Sequence, residues 1–189
     1  DFTTAAAELD AVLGVAVDAP RRIVFLVTTN ALTAAGRKAP RNAVVAYDID
    51  NRRRLGRFDI PQAKQLNDVT VGPGGRVFTS DSTTGAVYEI AVKGPGPARE
   101  VIPPGKLRGS NGLAVSPDAK RLYIAHASGI EIYDLERYDL KPLANPTRES
   151  VAAIDGLYFR GGDLIGVQNV TNPGRVIRIV LATGGERVH

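Results

Sequence analysis

Hydrophobic and polar residues alternate over short stretches along most of the chain, a pattern typical of half-buried β-strands. Around the turn Ser116-Pro117-Asp118, for example, two such stretches follow each other closely and predict a β-hairpin. The same criterion predicts strands at 13–17, 23–28, 43–47, 55–58, 69–71, 77–80, 86–90, 100–102, 113–115, 122–125, 130–133, 157–159, 164–168 and 176–180.

These strands are grouped into a repeat. Asn67 and Asn111 are 44 residues apart, as are Asn111 and Asp155, and each is followed by a similar apolar run. A fourth copy starts at Leu13, 54 residues before Asn67, and the polar tract 30–42 accounts for the longer spacing. Repeats of this length are typical of β-propeller blades and solenoids.

Short antiparallel strands in units of about 40–50 residues predict a β-propeller. We therefore expect one all-β domain of four-stranded antiparallel blades, at about 10–60, 61–104, 105–148 and 149–189. The amphipathic helices that parallel α/β folds need between strands are absent from the pattern. Because the last unit has no clear fourth strand, we expect four blades of a larger ring, with a blade before Asp1 and another after His189.

Composition narrows the classes of partner. The chain has no Cys, which excludes disulfides and thiolate metal sites, and its formal net charge is +4. Its dense basic cluster, Arg52-Arg53-Arg54 with Arg57, lacks interleaved aromatics and is interpreted as a solvated strand edge. The sequence predicts a small-molecule substrate or ligand, no nucleic acid and no membrane; it shows no signal peptide, and the compartment and oligomeric state stay open.

Polar residues mark the same place in three successive repeats. Asn67, Asn111 and Asp155 each begin the innermost strand of a blade, and equivalent positions of stacked blades converge on the channel. Their side chains offer only oxygen ligands of low total charge, which suit a hard cation such as Ca²⁺. None of these three residues is a His or a Cys, the usual zinc ligands, which argues against a zinc site.

A structural interpretation competes with this one. Asn-Gly and Asp-Gly pairs are common turn formers, so Asn111-Gly112 and Asp155-Gly156 could simply be turns. The shared phase of the three residues favours a common channel site over coincident turns. Gln168-Asn169 could also reach the channel but has no counterpart in the other repeats.

At these residues the chain resembles the family of senescence marker protein, gluconolactonase and luciferin-regenerating enzyme, and related six-bladed propellers such as paraoxonases and strictosidine-synthase-like proteins. The resemblance rests on Leu66-Asn67-Asp68-Val69 with Thr79-Ser80-Asp81-Ser82, on 111–118, and on Asp155-Gly156-Leu157. It implies six blades and a Ca²⁺-type metal at the channel mouth.

The resemblance also implies roles for individual residues. Asn111 and Asp155 match metal ligands, and Asn67 matches a metal ligand in one branch of the family and a substrate contact in another. We assign Asp68, beside Asn67, to substrate binding as well. Asp155 is the one matched carboxylate that could accept a proton from an attacking water during lactone or ester hydrolysis.

Two departures from the family pattern affect this prediction. The family's remaining ligand is a Glu on an early blade, whereas Leu13 stands at the corresponding phase here. An Arg that grips sugar lactones usually precedes the Asn-Asp pair, whereas this chain has Gln65-Leu66. Two functions therefore stay open: a metal-dependent lactonase or esterase, and a non-catalytic propeller that binds a ligand or partner and keeps a remnant metal site.

Overall fold

The computed structural model describes residues 9–92 and 96–189, which form four antiparallel sheets. Strand bounds agree closely with the alternation in the sequence. The strands are β1 (Ala11–Asp18), β2 (Ile23–Thr29), β3 (Asn42–Asp48), β4 (Arg54–Asp59), β5 (Leu66–Val71), β6 (Val77–Asp81), β7 (Val87–Ile90), β8 (Arg99–Ile102), β9 (Leu113–Val115), β10 (Arg121–His126), β11 (Gly129–Asp134), β12 (Leu140–Pro142), β13 (Gly156–Arg160), β14 (Asp163–Gln168) and β15 (Arg175–Ile179).

Consecutive strands pair within each sheet, so each sheet is a meander that runs outward from the centre. The first three sheets contain four strands each, β1–β4, β5–β8 and β9–β12, and the last contains β13–β15. The innermost strands β1, β5, β9 and β13 follow one another around a central cavity of about 460 Å³. The predicted all-β propeller with four blades is confirmed; the six-blade ring stays a prediction.

Apolar side chains fill three of the junctions between blades. Phe25 and Tyr88 belong to the core between the first and second blades, and Phe78 and Leu122 to the next. Tyr123 packs in the third, between the last two blades. Each core is made from the facing sides of two neighbouring sheets, which explains why strand alternation alone predicts the fold.

The described residues form no core of this kind between the last blade and the first, since no buried apolar cluster joins these two blades. Val17 of β1 and Val176 of β15 are 52% and 69% exposed. Val176 lies on the side of its sheet opposite to the core shared with the third blade.

Two elements were not predicted. The polar tract 30–42 contains a short helix, α1 (Ala34–Lys38), whose first turn is capped by the Thr33 hydroxyl accepting from Gly36 N at 3.0 Å. The third blade has a brief outer strand, β12, which pairs with β11 alone and ends at Pro142. Proline is tolerated there because an edge strand has one side without a ladder partner. No helix in the described ranges is long and apolar enough to cross a membrane.

Candidate functional site

The three residues of equal phase come together in the structure. Asn67 lies at the start of β5, Asn111 two residues before β9, and Asp155 immediately before β13. All three line one cavity of about 310 Å³ at the end of the channel. Leu13 also lines this cavity, at the phase where the resemblance implies a Glu.

Asp155 is held by two amide groups. Its Oδ1 accepts a hydrogen bond from Asn111 Nδ2 at 2.7 Å, and its Oδ2 accepts one from Asn169 Nδ2 at 2.6 Å. Asn169 follows β14 and reaches back across the blade to Asp155. Two donors, one on each oxygen, fix the plane of the carboxylate at the cavity wall.

Amide oxygens at this site are left without partners. Asn111 Oδ1 is buried and accepts no hydrogen bond from the described part of the chain. Asn67 donates from Nδ2 to Ser82 Oγ at 2.8 Å, and its Oδ1 has no partner among the described residues. A buried acceptor without a donor costs free energy, so Asn111 Oδ1 is available to a water or a ligand in the cavity.

Asp68 lies between the channel and the neighbouring blade. Its Oδ2 accepts from Leu113 N at 2.9 Å, which ties β5 to β9, while its side chain still lines the cavity. Burial, with a smaller contribution from the charge of Asp155, raises the pKa of Asp68 to about 7, although hydrogen bonds from Leu113 N and Val69 N lower it. The substrate-binding role given to Asp68 by the sequence stays a prediction.

The pKa of Asp68 predicts a pH dependence of stability. Because its pKa rises from 3.8 to about 7 on folding, the folded metal-free protein holds more protons than the unfolded chain between these values. Stability should therefore fall as pH rises towards about 7, by at most about 1.4 kcal/mol per pH unit. Asp68→Asn removes this titration while keeping an oxygen for Leu113 N, so its stability relative to wild type should increase between about pH 5 and pH 8.

Urea unfolding of the EDTA-treated proteins across this range measures the difference. A constant stability gap between wild type and Asp68→Asn at all pH values would contradict a raised pKa at this carboxyl group.

The glycine after Asn111 is required by close approach. Gly112 does not have a positive φ, and a Cβ at this position would lie 2.5 Å from Leu157 N and 2.9 Å from Asp155 O. Gly14 occupies the same phase in the first blade, and a Cβ there would lie 2.7 Å from Asn67 O. The position therefore serves contact with the next blade, and the turn interpretation of Asn111-Gly112 is not needed.

Tyr158 is a lining residue that the sequence did not indicate. Its side chain lines both the 310 Å³ and the 460 Å³ cavities and is 57% exposed. Burial, followed by the charges of Asp68 and Asp155, raises the pKa of its phenol. Two carboxyl groups and a phenol thus share the cavity, and no Lys, Arg or His within residues 9–92 and 96–189 lines it.

Comparisons with known proteins identify the fold. No family model matches the sequence, and no curated protein matches it. Among solved structures, a gluconolactonase from Xanthomonas campestris is similar over 95% of this chain and 75% of its own, with 15% identity and a TM-score of 0.58. A streptogramin B lyase is similar over 92% of this chain and 56% of its own, with 16% identity and a TM-score of 0.62.

A further similar structure is a nidogen/laminin complex, with 14% identity, a TM-score of 0.61 and coverage of 90% of this chain and 76% of the other. At such identities the likeness concerns the propeller fold alone. The solved structures with this fold include enzymes and a complex between two proteins. The fold by itself therefore does not decide between an enzyme and a protein that binds a partner.

Proposed function

We propose that this chain is a hydrolase of lactones or esters that acts at the channel mouth with a Ca²⁺-type divalent cation. The supporting observation is the buried Asn111 Oδ1, which has no hydrogen-bond partner in the described chain although its own amide nitrogen is bonded to Asp155. An amide oxygen that is held in a fixed orientation and has no hydrogen-bond donor is suited to coordinate a cation.

The other donors fit a hard cation. Asn67 Oδ1, Asn111 Oδ1 and the Asp155 carboxylate offer oxygen alone, and no positively charged side chain in the described part of the chain lines the cavity to compete. No group of three or more His, Cys, Asp and Glu side chains among residues 9–92 and 96–189 is arranged as a metal site. Since two of the three proposed ligands are neutral amides and Leu13 stands where the resemblance implies a Glu, we expect weak binding, with a Kd of about 10⁻⁴ to 10⁻³ M.

When bound, such a cation supplies Lewis-acid polarisation of a carbonyl and lowers the pKa of a water. The chain supplies the proton acceptor. Each oxygen of Asp155 accepts one amide hydrogen bond and keeps a further lone pair, so one oxygen would bind the cation while the other could take a proton from an attacking water. Asn111 and Asn169 keep the carboxylate oriented for this step.

The substrate is expected to lack a sugar-like set of hydroxyl groups. Gln65-Leu66 stands where the resemblance implies an Arg that grips sugar lactones. Most of the residues around the wider cavity behind the site are aliphatic, and Val15 and Val17 among them are about half exposed. Simple lactones and aryl esters therefore fit the site better than aldonolactones.

Hydrolysis assays test this proposal. EDTA-treated protein should leave a panel of alkyl lactones, aldonolactones and aryl esters intact, and addition of millimolar Ca²⁺ should produce turnover of alkyl lactones or aryl esters. Buffer with Ca²⁺ and no protein controls for the background rate.

Two results would contradict the proposal in different ways. Turnover that is the same with EDTA and with Ca²⁺ would remove the metal from the reaction. Calcium binding without turnover of any substrate would remove the catalytic role and favour a propeller that binds a ligand or partner. Leu13, which lines the cavity where the resemblance implies a Glu, agrees with such a non-catalytic role.

A further inference from the structure

Two serine hydroxyls connect the second and third blades at the candidate site. Ser82 directly follows Asp81, the last residue of β6. It donates a hydrogen bond from Oγ to Ser110 O at 2.8 Å. Ser80, two positions earlier, donates from Oγ to Asn111 O at 2.8 Å and accepts from Asp68 N at 3.1 Å. Both hydroxyls therefore bond to the segment that leads into β9.

The bond from Ser82 to Ser110 determines what Ser82 can offer Asn67. A serine hydroxyl has a single proton, and here that proton is donated to the Ser110 carbonyl. Ser82 Oγ can then only accept from Asn67, so the amide must turn its Nδ2 towards Ser82, at 2.8 Å. The Oδ1 of Asn67 consequently faces away from Ser82.

Asn67 also lines the 310 Å³ cavity, and its Oδ1 has no partner in the described residues. We infer that Ser82 is a positioning residue, whose hydroxyl orients the Asn67 amide so that Oδ1 is presented to the ligand in the cavity. The orientation follows from the hydrogen bonds alone, and its consequence for ligand binding rests on the proposed function.

Removal of the hydroxyl should release the amide. In a Ser82→Ala variant the Asn67 side chain loses its acceptor, and its amide can rotate. Ser82→Thr keeps a hydroxyl in the same place and should restore the orientation. Ser116→Ala is a matched control, because the Ser116 hydroxyl also bridges two groups, Asp118 Oδ1 and Arg121 N, but lies on the β9–β10 turn and does not contact the cavity.

The experiment combines two measurements on the full chain. Nuclear magnetic resonance of the metal-free protein reports on exchange of the Asn67 side-chain amide protons with water, with the signal assigned by its loss in Asn67→Asp. Calorimetry with Ca²⁺ alone reports on affinity. We expect faster amide exchange and about 10-fold weaker Ca²⁺ binding in Ser82→Ala, with wild-type values in Ser82→Thr and Ser116→Ala.

Unchanged exchange of the Asn67 amide in Ser82→Ala would overturn the inference. Faster exchange with undiminished Ca²⁺ affinity would overturn the positioning role, although the bond itself would be real. Absence of Ca²⁺ binding by wild type would remove the proposed metal site; the orientation would then be decided by whether amide exchange rises in Ser82→Ala and is restored in Ser82→Thr.

Discussion

An Asp155→Ala variant is expected to lose Ca²⁺ binding by at least about 100-fold, the upper end of the effect of removing even a partner that supports a metal ligand. Hydrolysis should fall to background at the same time. Among the described residues, Asp155 is the single carboxylate that both lines the cavity and bonds directly to the Asn111 amide. Its removal takes away the negative charge and the acceptor that orients Asn111 Oδ1.

Calorimetric titration with Ca²⁺ measures the loss, and Asp163→Ala is a suitable control. Asp163 is a carboxylate at the opposite end of the same blade, where it pairs with Arg178 and accepts from Leu181 N. This control should lower the free energy of unfolding but keep wild-type Ca²⁺ affinity. Equal affinity of wild type and Asp155→Ala would contradict the assigned role of Asp155.

A Gly112→Ala variant is expected to lose about 3 kcal/mol or more of unfolding free energy, at the upper end of the usual cost of overpacking. The added methyl would lie 2.5 Å from Leu157 N and 2.9 Å from Asp155 O. These are backbone atoms of an inner strand and its entry, so relief requires the third and fourth blades to separate. Because Asp155 moves with this segment, Ca²⁺ affinity should fall too.

Urea unfolding measures the change, with Gly96→Ala as the control. Among the described residues a Cβ at Gly96 meets only Ala91 Cβ, at 3.9 Å, so this substitution should be neutral or slightly stabilising through reduced freedom of the unfolded chain. A loss below about 0.5 kcal/mol in Gly112→Ala, the range of surface substitutions, would show that the blades adjust to the methyl without cost.

Much of the fold could be predicted from the sequence because a propeller repeats one local pattern. Strand alternation identified most strands to within two residues, and the 44-residue spacing brought Asn67, Asn111 and Asp155 to equivalent places. Equivalent positions in stacked blades face one axis, so phase carries three-dimensional information that a single motif does not.

The remaining features depend on contacts that do not repeat. Asn169 reaches Asp155 from the β14–β15 loop, which differs in length and sequence from the equivalent loops of the other blades. Ser82 bonds to the carbonyl of Ser110 in the neighbouring blade. The short strand β12 has too few residues for alternation to be recognised. For Gly112, sequence reasoning considered a turn, because close approach to the next blade is visible only in three dimensions.

The central claim is that residues of equal phase in three blades hold one divalent cation. Anomalous diffraction from crystals soaked in Ca²⁺ at several times the Kd would test this claim most directly. We expect a peak about 2.3–2.6 Å from both Asn111 Oδ1 and a carboxylate oxygen of Asp155. A cavity that holds only water under these conditions, or a cation that binds elsewhere on the chain, would contradict it.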